Sequence, residues 1–541
     1  MAPVYLGGQE LTFVSGASLF DYADSLKVRV PTSCRRTGSC HECIVEIRGG
    51  MDALSPPTKP ESFLRNNYRL ACQALVQDPV QNVEFSVLRR QPQIMTSGVR
   101  REITPVPNVV RLGESISIGG RHADRYRGRI LGLAADIGTT TVALNLVDLE
   151  ACQVIHTSSF ENPQRFGGSD VMNRISYDEG ENKGELQQVM ISAINFEIGE
   201  MTREVGSHRR YIYDVVLVGN TTMRDIVFGL DVQSVGVKPY KSLAETEYEN
   251  GLRGGTSLHA KASELGLRVF PEAYVYSGPL IGCHVGPDVS AGLLAIGMDQ
   301  QEEPVMLVDI GTNSEVVIGN RHGMMAASCP AGPAFEGGQI ARGMPGYDGA
   351  VESIRIVDGE PTITTIGGKE VQGICGSGLV DLLAELRRNG LINELGVFYN
   401  GENGYTFSVE QGMDLTREEI SSLAQAKSAN YSGQYIVMRN YGTAAGDLAK
   451  LYLAGGFANY IDASNAVNIG FIANVPQDHI AKVGNASLEG ATIMLLSVGM
   501  RNTAEELVKR IKHIELETTV DFFDIFVEGC LFKPMPRDLM P

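Results

Sequence analysis

Hydrophobic and polar positions along the chain predict the same pair of elements twice. Mostly apolar residues at 133–137 and 142–147 flank a short polar run at 138–141. This pattern is typical of two buried strands joined by a tight turn. The second copy is the segment 307–320, LVDIGTNSEVVIGN. We therefore expect one strand–turn–strand unit in each half of the larger part of the chain.

Further segments repeat in the same order in both halves. Each half has an apolar strand that ends in glycine at a helix start, and later a helix that follows a Val-Gly pair. Agreement at three places in one order favours an internal duplication. We name the predicted halves the first lobe, residues 129–302, and the second lobe, residues 303–541, and expect a cleft between them. The repeated pairs are 133–148 with 307–320, 215–223 with 451–462, and 285–295 with 483–495.

The polar turn of each strand–turn–strand unit carries residue types that bind phosphate and metal. Backbone N–H and hydroxyl groups of a Gly-Thr turn can hold an anion, and the acid beside it can hold a metal ion. One such turn is a weak signal, whereas two that face a cleft can meet phosphates from both sides. The residues concerned are Asp136, Gly138, Thr139, Thr140 and Thr141 in the first lobe, and Asp309, Gly311, Thr312 and Asn313 in the second.

Two glycine-rich segments of the second lobe fit the nucleoside end of such a cleft. Gly376 and Ser377 begin a stretch whose leucines are spaced for one buried helix face, and this helix is predicted to end at Asn389. The N-terminus of a helix can approach an anion or a ribose closely. Gly455 and Gly456 leave backbone room for a flat base. The alternative is that each glycine pair is only a turn.

Residues 1–90 are predicted to form a separate small domain. Its pattern indicates a hairpin around Gly7-Gly8, a short amphipathic helix over 18–26, and strands at 44–47 and 83–87.

Residues 91–128 follow this domain and are rich in Arg, Pro and Gly, which predicts a linker. Its arginines are interpreted either as a solvated tether on an acidic protein or as a docking segment for a partner. The length of the linker would let the small domain move relative to the lobes.

Four cysteines cluster in the small domain with the spacing C-x5-C-x2-C-x28-C. This is close to the plant-type [2Fe–2S] pattern, with one extra residue in the first gap, and the surrounding elements fit the β-grasp fold of such ferredoxins. Zinc is an alternative, although most structural zinc sites use two paired knuckles, and four inert buried thiols are another. The four are Cys34, Cys40, Cys43 and Cys72; Cys152, Cys283, Cys329, Cys375 and Cys530 are expected to be reduced, partly buried thiols.

Composition argues against several classes of protein. The net charge of −18 argues against binding of nucleic acid or of an anionic membrane through overall charge. No apolar run reaches the length of a membrane span, and the first residues lack a signal-peptide pattern. Nine cysteines, an odd and unevenly spread number, argue against a disulfide scaffold. We therefore expect a cytoplasmic protein, with two to four domains in its 541 residues.

The motifs DIGTTT at 136–141, DIGTN at 309–313 and AGGFA at 454–458 resemble the superfamily of acetate and sugar kinases, heat-shock protein 70 and actin. Joined to a [2Fe–2S] domain, they make the chain similar to the reductive activators of corrinoid proteins. The similarity includes CPAGPAFEGGQI at 329–340 and GICGSG at 373–378. Some members of that family carry an extra middle domain between the linker and the ATPase unit. We expect this chain to have no room for one, so their dimerisation is not carried over.

The resemblance implies a fold class, a function and a set of roles. The fold would be α+β and α/β multidomain, a β-grasp [2Fe–2S] domain followed by a duplicated ribonuclease H-like ATPase domain. ATP with Mg²⁺ would drive transfer of one electron from a low-potential donor, through the cluster, to an inactive Co(II) corrinoid protein of a methyltransferase or O-demethylase system, which becomes Co(I). The cluster would be ligated by Cys34, Cys40, Cys43 and Cys72, and Mg²⁺ would be positioned, directly or through water, by Asp136 and Asp309. The phosphates would be held by Gly138, Thr139, Thr140, Thr141, Gly311, Thr312 and Asn313, with Glu336 near them. The ribose and base would be held by Gly376, Ser377, Gly455 and Gly456.

Two other functions fit the same motifs. One is a small-molecule kinase of the same fold with an appended redox-sensing ferredoxin domain. The other is a binding protein without catalytic activity, in which ATP only gates docking.

Overall fold

The computed structural model describes residues 2–88, 100–282, 284–399, 404–407, 413–456 and 458–538. The N-terminal domain is a five-stranded mixed sheet of order β2-β1-β5-β3-β4 with one helix packed on it. That helix begins where expected, because Ser18 and Asp21 form a reciprocal capping box. The predicted hairpin, helix and strands are therefore confirmed. The elements are β1 (Val4–Leu6), β2 (Gln9–Leu11), α1 (Leu19–Ser25), β3 (Ile44–Gly49), β4 (Tyr68–Leu70) and β5 (Val83–Val87).

The predicted linker is not a simple tether over its second half. Residues 109–125 form a three-stranded antiparallel sheet whose Val109 and Ile116 are buried in a core shared with both lobes. Glycines with positive φ, Gly113 and Gly119, make its turns. The first part of the linker and the boundary predicted at residue 90 lie outside the described residues. The strands are β6 (Val109–Leu112), β7 (Ser115–Ile118) and β8 (Arg121–Arg125).

The first lobe is a six-stranded sheet of order β11-β10-β9-β12-β14-β13 with helices packed against it. Its three central strands, residues 131–137, 141–148 and 212–219, are buried nearly throughout, which explains their almost continuous apolar sequence. The elements are β9 (Leu131–Ile137), β10 (Thr141–Asp148), β11 (Gln153–Glu161), α2 (Val171–Tyr177), α3 (Glu185–Glu204), β12 (Ile212–Gly219), α4 (Thr221–Val227), α5 (Leu243–Glu249), β13 (Leu258–Lys261), β14 (Tyr274–Ser277) and α6 (Pro287–Ala295).

The second lobe is a six-stranded sheet of order β24-β23-β15-β16-β17-β25, with a three-stranded and a two-stranded sheet beside it. Its elements are β15 (Val305–Ile310), β16 (Ser314–Asn320), β17 (Gly323–Cys329), β18 (Ala350–Val357), β19 (Glu360–Thr365), β20 (Gly373–Ile374), α7 (Gly376–Arg388), β21 (Gly404–Phe407), β22 (Met413–Thr416), α8 (Arg417–Tyr441), β23 (Lys450–Ala454), α9 (Ala463–Asn468), β24 (Ile480–Gly484), α10 (Ala486–Leu496), α11 (Val498–Val508), β25 (Ile511–His513) and α12 (Phe522–Gly529).

The two lobes share one topology, which confirms the predicted duplication. The strand order β11-β10-β9-β12-β14 of the first lobe corresponds to β17-β16-β15-β23-β24 of the second. In both series the first two neighbouring pairs are antiparallel and the last two are parallel. The turn 138–140 and the turn 311–313 therefore occupy equivalent places at the ends of β9 and β15.

One repeated segment departs from its predicted form. After β23 the chain does not enter a helix at once but forms a loop, and α9 begins only at Ala463. Gly455 has a φ of 104°, and a Cβ there would lie 2.1 Å from the carbonyl oxygen of Ile310. The close approach of this loop to the end of β15 thus requires glycine.

Helices α6 and α10 lie between the two large sheets and share a core with both of them. They cross closely, since a Cβ on Gly490 would lie 1.9 Å from the carbonyl oxygen of Ala291. The repeated helices of the duplication therefore form the junction between the lobes.

Among the described residues, no helix combines the length and apolar character needed to cross a lipid bilayer. Of the thiols predicted to have no cluster role, Cys329 and Cys375 are buried and free, and Cys152 and Cys530 are partly buried and free. Cys283 lies outside the described residues.

Candidate functional site

A cavity of about 160 Å³ lies between the two lobes, at the two polar turns. Its wall carries the hydroxyl groups, carboxylates and glycines of both turns, so it suits phosphate groups and an ion. The structure brings most of the predicted site residues together here. Those that line the cavity are Asp136, Gly138, Thr139, Thr140, Thr141, Asp309, Gly311, Thr312, Asn313, Glu336, Gly455 and Gly456.

The first turn is oriented by donors that lie behind it. The Asn162 side chain donates to the carbonyl oxygen of Gly138 over 2.8 Å, and Arg174 donates to that of Thr139 over 2.6 Å. Because the N–H of the next residue points opposite to the carbonyl of a planar trans peptide, the N–H groups of Thr139 and Thr140 face away from these donors. The turn is thus arranged to present N–H groups to an anion in the cleft.

The two turns meet at Glu336, which follows β17 in the loop 330–339. The Thr140 hydroxyl donates to the Glu336 carboxylate over 3.0 Å and lies 3.3 Å from the Thr312 hydroxyl, which also donates to Glu336. Burial raises the pKa of Glu336, although these hydroxyls act to lower it. Glu336 therefore joins the lobes at the point where the two turns approach each other.

Carboxyl groups crowd the same cavity. Burial raises the pKa of Asp136 to about 7 and that of Asp309 to about 6. Burial together with the neighbouring carboxylates also raises the pKa values of Asp288 and Glu315 well above their ordinary values. Four acids that are hard to ionise together form a site that a cation would stabilise.

Mg²⁺ fits this donor set. The ion prefers oxygen ligands and is commonly held by one or two carboxylates, together with waters and substrate phosphates. Among the residues that the structure describes, no three His, Cys, Asp or Glu side chains are grouped to hold one ion directly. The arrangement of Asp136 and Asp309 therefore suits an ion held in part through water and phosphate.

Sequence reasoning missed several polar residues of the cavity. Asn485 donates to the Asp136 carboxylate over 2.8 Å, and the Ser487 hydroxyl lies 3.4 Å from a carboxylate oxygen of Asp309. Asn220 donates to the Thr139 hydroxyl over 3.0 Å. The internal repeats were the signal that could have indicated most of these residues. Asp288, Asn485 and Ser487 lie in the repeated segments 285–295 and 483–495, and Asn220 lies in the repeated segment 215–223. Glu315 follows the second turn.

The predicted ribose residues of α7 lie apart from this cavity. Gly376 and Ser377 are buried at the first turn of α7, where the Ser377 hydroxyl lies 3.3 Å from the sulfur of Cys375. The predicted helix and its end at Asn389 are confirmed. A role of Gly376 and Ser377 in holding ribose stays a prediction.

The four clustered cysteines lie together at one end of the N-terminal domain, and their thiols form two pairs. Cys40 donates a hydrogen bond to Cys34, and Cys43 donates to Cys72. Although burial acts to raise it, hydrogen bonds lower the pKa of Cys34 to about 5, and the bond from Cys43 lowers that of Cys72 to about 7. The hydrogen bond to Cys72 and burial raise the pKa of Cys43, so each pair has one thiol of lowered pKa, Cys34 or Cys72. Two pairs of thiols suit a cluster of two irons, each of which takes two cysteines.

The loop that carries three of these cysteines is anchored on both sides. The Arg36 guanidinium lies 4.0 Å from the centre of the Phe20 ring and forms ion pairs with Asp21 and Asp24 of α1. Gly38 has a φ of 85°, and a Cβ there would lie 2.9 Å from Pro60, so glycine is needed.

The same loop rests on the first lobe. His41 stacks on Phe63 with ring centres 4.1 Å apart, and its Nδ1 lies 2.9 Å from the Glu185 carboxylate of α3. The Gln188 side chain donates to the carbonyl oxygen of Cys40 over 3.4 Å. Helix α3 therefore packs directly against the cysteine loop.

A second cavity, of about 510 Å³, lies where the N-terminal domain meets both lobes. Glu46 and Arg48 of β3 form one part of its wall, and Thr140 and Glu336 of the cleft form another. The strand that follows Cys43 and the first turn thus share a cavity.

Comparisons with known proteins agree with this architecture. The family described as a 2Fe-2S iron-sulfur cluster binding domain matches residues 4–77, the RACo middle region matches 131–301, and the C-terminal domain of RACo, the ASKHA domain, matches 303–541. A solved structure, a reductive activator for corrinoid, iron-sulfur protein, superposes with a TM-score of 0.72 and 26% identity over all of both chains.

Two curated relatives cover most of the chain. The corrinoid activation enzyme RamQ of Eubacterium limosum is 30% identical over 429 residues, which are 74% of this chain and 70% of that protein. The [Co(II) methylated amine-specific corrinoid protein] reductase of Methanosarcina barkeri is 23% identical over 427 residues, 73% of this chain and 76% of the relative.

The fold and the site define a class: an iron–sulfur protein in which a [2Fe–2S] ferredoxin domain is joined to an ATP-binding, actin-like domain of two lobes. Within that class, the chain belongs to the family of reductive activators of corrinoid proteins. The predicted fold class and family are thereby confirmed.

Proposed function

We propose that the protein reactivates a corrinoid protein of a methyltransferase system by ATP-dependent reduction of inactive Co(II) to Co(I). One observation supports this proposal above the others: a ferredoxin domain with two cysteine pairs rests on the lobe that carries the first phosphate turn. The family to which the chain belongs, and its relatives named for corrinoid activation and reduction, support the choice of partner.

In this proposal the bound [2Fe–2S] cluster supplies a one-electron carrier of low potential. Cys34, Cys40, Cys43 and Cys72 hold it, and α1 and α3 fix the loop that bears three of them. Arg35 and Thr37 of that loop are exposed, which leaves one side of the loop open to a donor or an acceptor protein.

ATP is needed because the electron moves uphill. A plant-type cluster lies near roughly −400 mV, and each ~59 mV of unfavourable difference costs about 1.4 kcal/mol for one electron. In the proposal, binding and hydrolysis of ATP offset this cost through a cycle of lobe movements that favours the complex in which cobalt accepts the electron.

The cleft residues act on the nucleotide. The N–H groups of Thr139 and Thr140 hold phosphate, Asp136 and Asp309 position Mg²⁺, and one of these two acids orients the attacking water. The site lies between the two lobes, so a movement of the lobes can admit ATP and release the products. Opening and closing about α6 and α10 is thus part of the proposed cycle.

ATP turnover measured with and without a Co(II) corrinoid protein tests this function. We expect turnover to rise when the corrinoid protein is present, and the Co(I) absorbance to appear only with ATP and a low-potential donor. Phosphorylation of a sugar or an acid with no change at cobalt would contradict the proposal and favour the kinase. Asp309→Ala should abolish turnover while ATP still binds, and this result would reject the binding protein in which ATP only gates docking. Unchanged cobalt reduction in that variant would contradict the need for ATP hydrolysis.

A further inference from the structure

One short helix joins the phosphate turn to the ferredoxin domain. From the middle of α2, Arg174 donates to the carbonyl oxygen of Thr139 over 2.6 Å. Three residues later, the Tyr177 hydroxyl donates to the carbonyl oxygen of Phe63 in the ferredoxin domain over 2.5 Å. Residues three apart lie on the same side of a helix, one turn along, so α2 spans the gap between the nucleotide site and the docked domain.

The contact between Tyr177 and the ferredoxin domain is buried and specific. Tyr177 and Phe166 are fully buried, and their rings pack edge to face with centres 5.5 Å apart. Phe63 packs edge to face on Phe166 at 5.3 Å and stacks on His41 at 4.1 Å. His41 lies between the cluster ligands Cys40 and Cys43, so the chain of contacts from α2 reaches the cluster loop.

Arg174 is placed to respond to the charge of the nucleotide. Its side chain is fully buried, and within the part of the chain that the structure describes its hydrogen-bond acceptors are neutral: the carbonyls of Thr139 and Gly168, the Gln164 amide and the Met223 sulfur. The carboxylates of Asp170 and Glu336 act on it only at a distance. A buried guanidinium without a carboxylate bonded to it is costly, and phosphate at the turn in front of it would supply the missing countercharge. The position of Arg174, and with it α2, should therefore depend on whether phosphate is bound.

We propose that Arg174 and Tyr177 are positioning residues that couple nucleotide binding at the first turn to docking of the ferredoxin domain. This inference rests on the proposed function, since coupling has a purpose only if ATP controls the electron donor. If nucleotide binding changes the equilibrium between the docked and the undocked ferredoxin domain, then the protein must bind the nucleotide with different affinities in these two states.

Hydrogen–deuterium exchange on the full-length protein with its cluster tests the coupling without any corrinoid protein. Exchange is compared for residues 61–68 and 185–190 with and without Mg²⁺ and a hydrolysis-resistant ATP analogue. In the unmodified protein we expect the analogue to change exchange in these segments at least threefold. Because corrinoid protein is absent, the coupling can fail in this assay while ATP-dependent cobalt reduction stands.

Tyr177→Phe removes the hydroxyl that bonds Phe63 and should weaken docking about fivefold. Its affinity for the analogue should stay within about threefold, while the response of residues 61–68 falls to less than half. Phe63→Leu alters the same contact from the ferredoxin side and should act alike. Tyr126→Phe is the control for the same substitution, since it removes an exposed hydroxyl bond of 2.9 Å to Glu150 and leaves Phe63 and Tyr177 unchanged.

Arg174→Lys keeps the charge but loses the planar fork that holds Gly168 and Thr139. It should lower the affinity for the analogue and reduce the exchange response together, and it should leave the visible spectrum of the cluster unchanged. The coupling is refuted if the analogue leaves residues 61–68 unchanged in the unmodified protein. It is equally refuted if Tyr177→Phe and Phe63→Leu both respond as fully as Tyr126→Phe.

Discussion

The crossing of α6 and α10 gives a sharp prediction, because two glycines in repeated positions differ in the space around them. A Cβ on Gly490 would lie 1.9 Å from the carbonyl oxygen and 2.2 Å from the carbonyl carbon of Ala291, all backbone atoms. A Cβ on Gly292 would lie 3.5 Å from Leu307 and 3.6 Å from Ala486, which are ordinary contacts. The same substitution, glycine to alanine in a helix, should therefore destabilise the protein at position 490 and stabilise it at position 292.

The magnitudes follow from these distances. A carbon–oxygen contact needs roughly 3.3 Å, so Gly490→Ala must push the helices apart by about 1.4 Å. Overpacking of this depth costs about 3 kcal/mol, while alanine in a helix recovers about 1 kcal/mol, which leaves about 2 kcal/mol of destabilisation. Gly292→Ala should stabilise the protein by about 1 kcal/mol, because only the higher helix propensity of alanine acts there. The thermal midpoints of the two variants should differ by roughly 6 °C.

The displacement should also reach the nucleotide site. Asn485 caps α10 and bonds Asp136 across the cleft over 2.8 Å, so a shift of more than an ångström breaks this bond. We expect Gly490→Ala to bind ATP about tenfold more weakly, and Gly292→Ala to bind it normally. Calorimetry of unfolding and ATP titration measure both effects. Equal midpoints and equal affinities in the two variants would refute the assignment of α6 and α10 as the junction.

Three further predictions concern the site. Burial raises the pKa of Asp136 from 3.8 to about 7. Between these two pH values Asp136 is protonated in the folded protein and ionised in the unfolded chain. The free energy of unfolding without metal should therefore fall as the pH rises from about 4 to 7. Asp136→Asn should flatten this dependence when thermal midpoints are measured in a chelator at pH 5.5 and pH 8; a fall as large as that of the unmodified protein would contradict it. Cys40→Ser should abolish or alter the visible absorption of the cluster and stop cobalt reduction, while ATP titration shows unchanged binding; full reduction in the variant would remove the cluster from the electron path. Asp136→Ala should weaken binding of Mg²⁺-ATP about tenfold or more, and unaltered affinity with Mg²⁺ present would reject its role.

The parts of the fold that sequence predicts are those with a strong local signal. The apolar runs around 138–141 and 311–313 each give a buried strand pair, and their repetition predicts the second lobe from the first. The spacing of Cys34, Cys40 and Cys43 is local too, and Cys72 is the one long-range ligand that the pattern supplies.

The parts that were not predicted depend on contacts between distant segments. Asn485 meets Asp136 across 349 positions of sequence. Both residues lie in repeated segments, but the repeat alone does not indicate which residue each of them contacts. The Tyr177 hydroxyl donates to the backbone carbonyl of Phe63. Since every residue has a backbone carbonyl, the residue type does not indicate which one accepts this bond. In the linker, the many arginines obscured an alternation of apolar and polar residues that Gly113 and the following glycines divide into three strands.

In the proposed function, ATP drives the transfer of one electron from the ferredoxin domain to cobalt in a partner protein. The most direct test is a single turnover: protein with its cluster reduced in advance is mixed anaerobically with a Co(II) corrinoid protein, and the cluster and Co(I) absorbances are followed together. With Mg²⁺ and ATP we expect one Co(I) to form for each cluster oxidised, and without ATP almost none. Oxidation of the cluster without Co(I), or Co(I) formation at the same rate without ATP, would show that ATP does not drive this electron transfer.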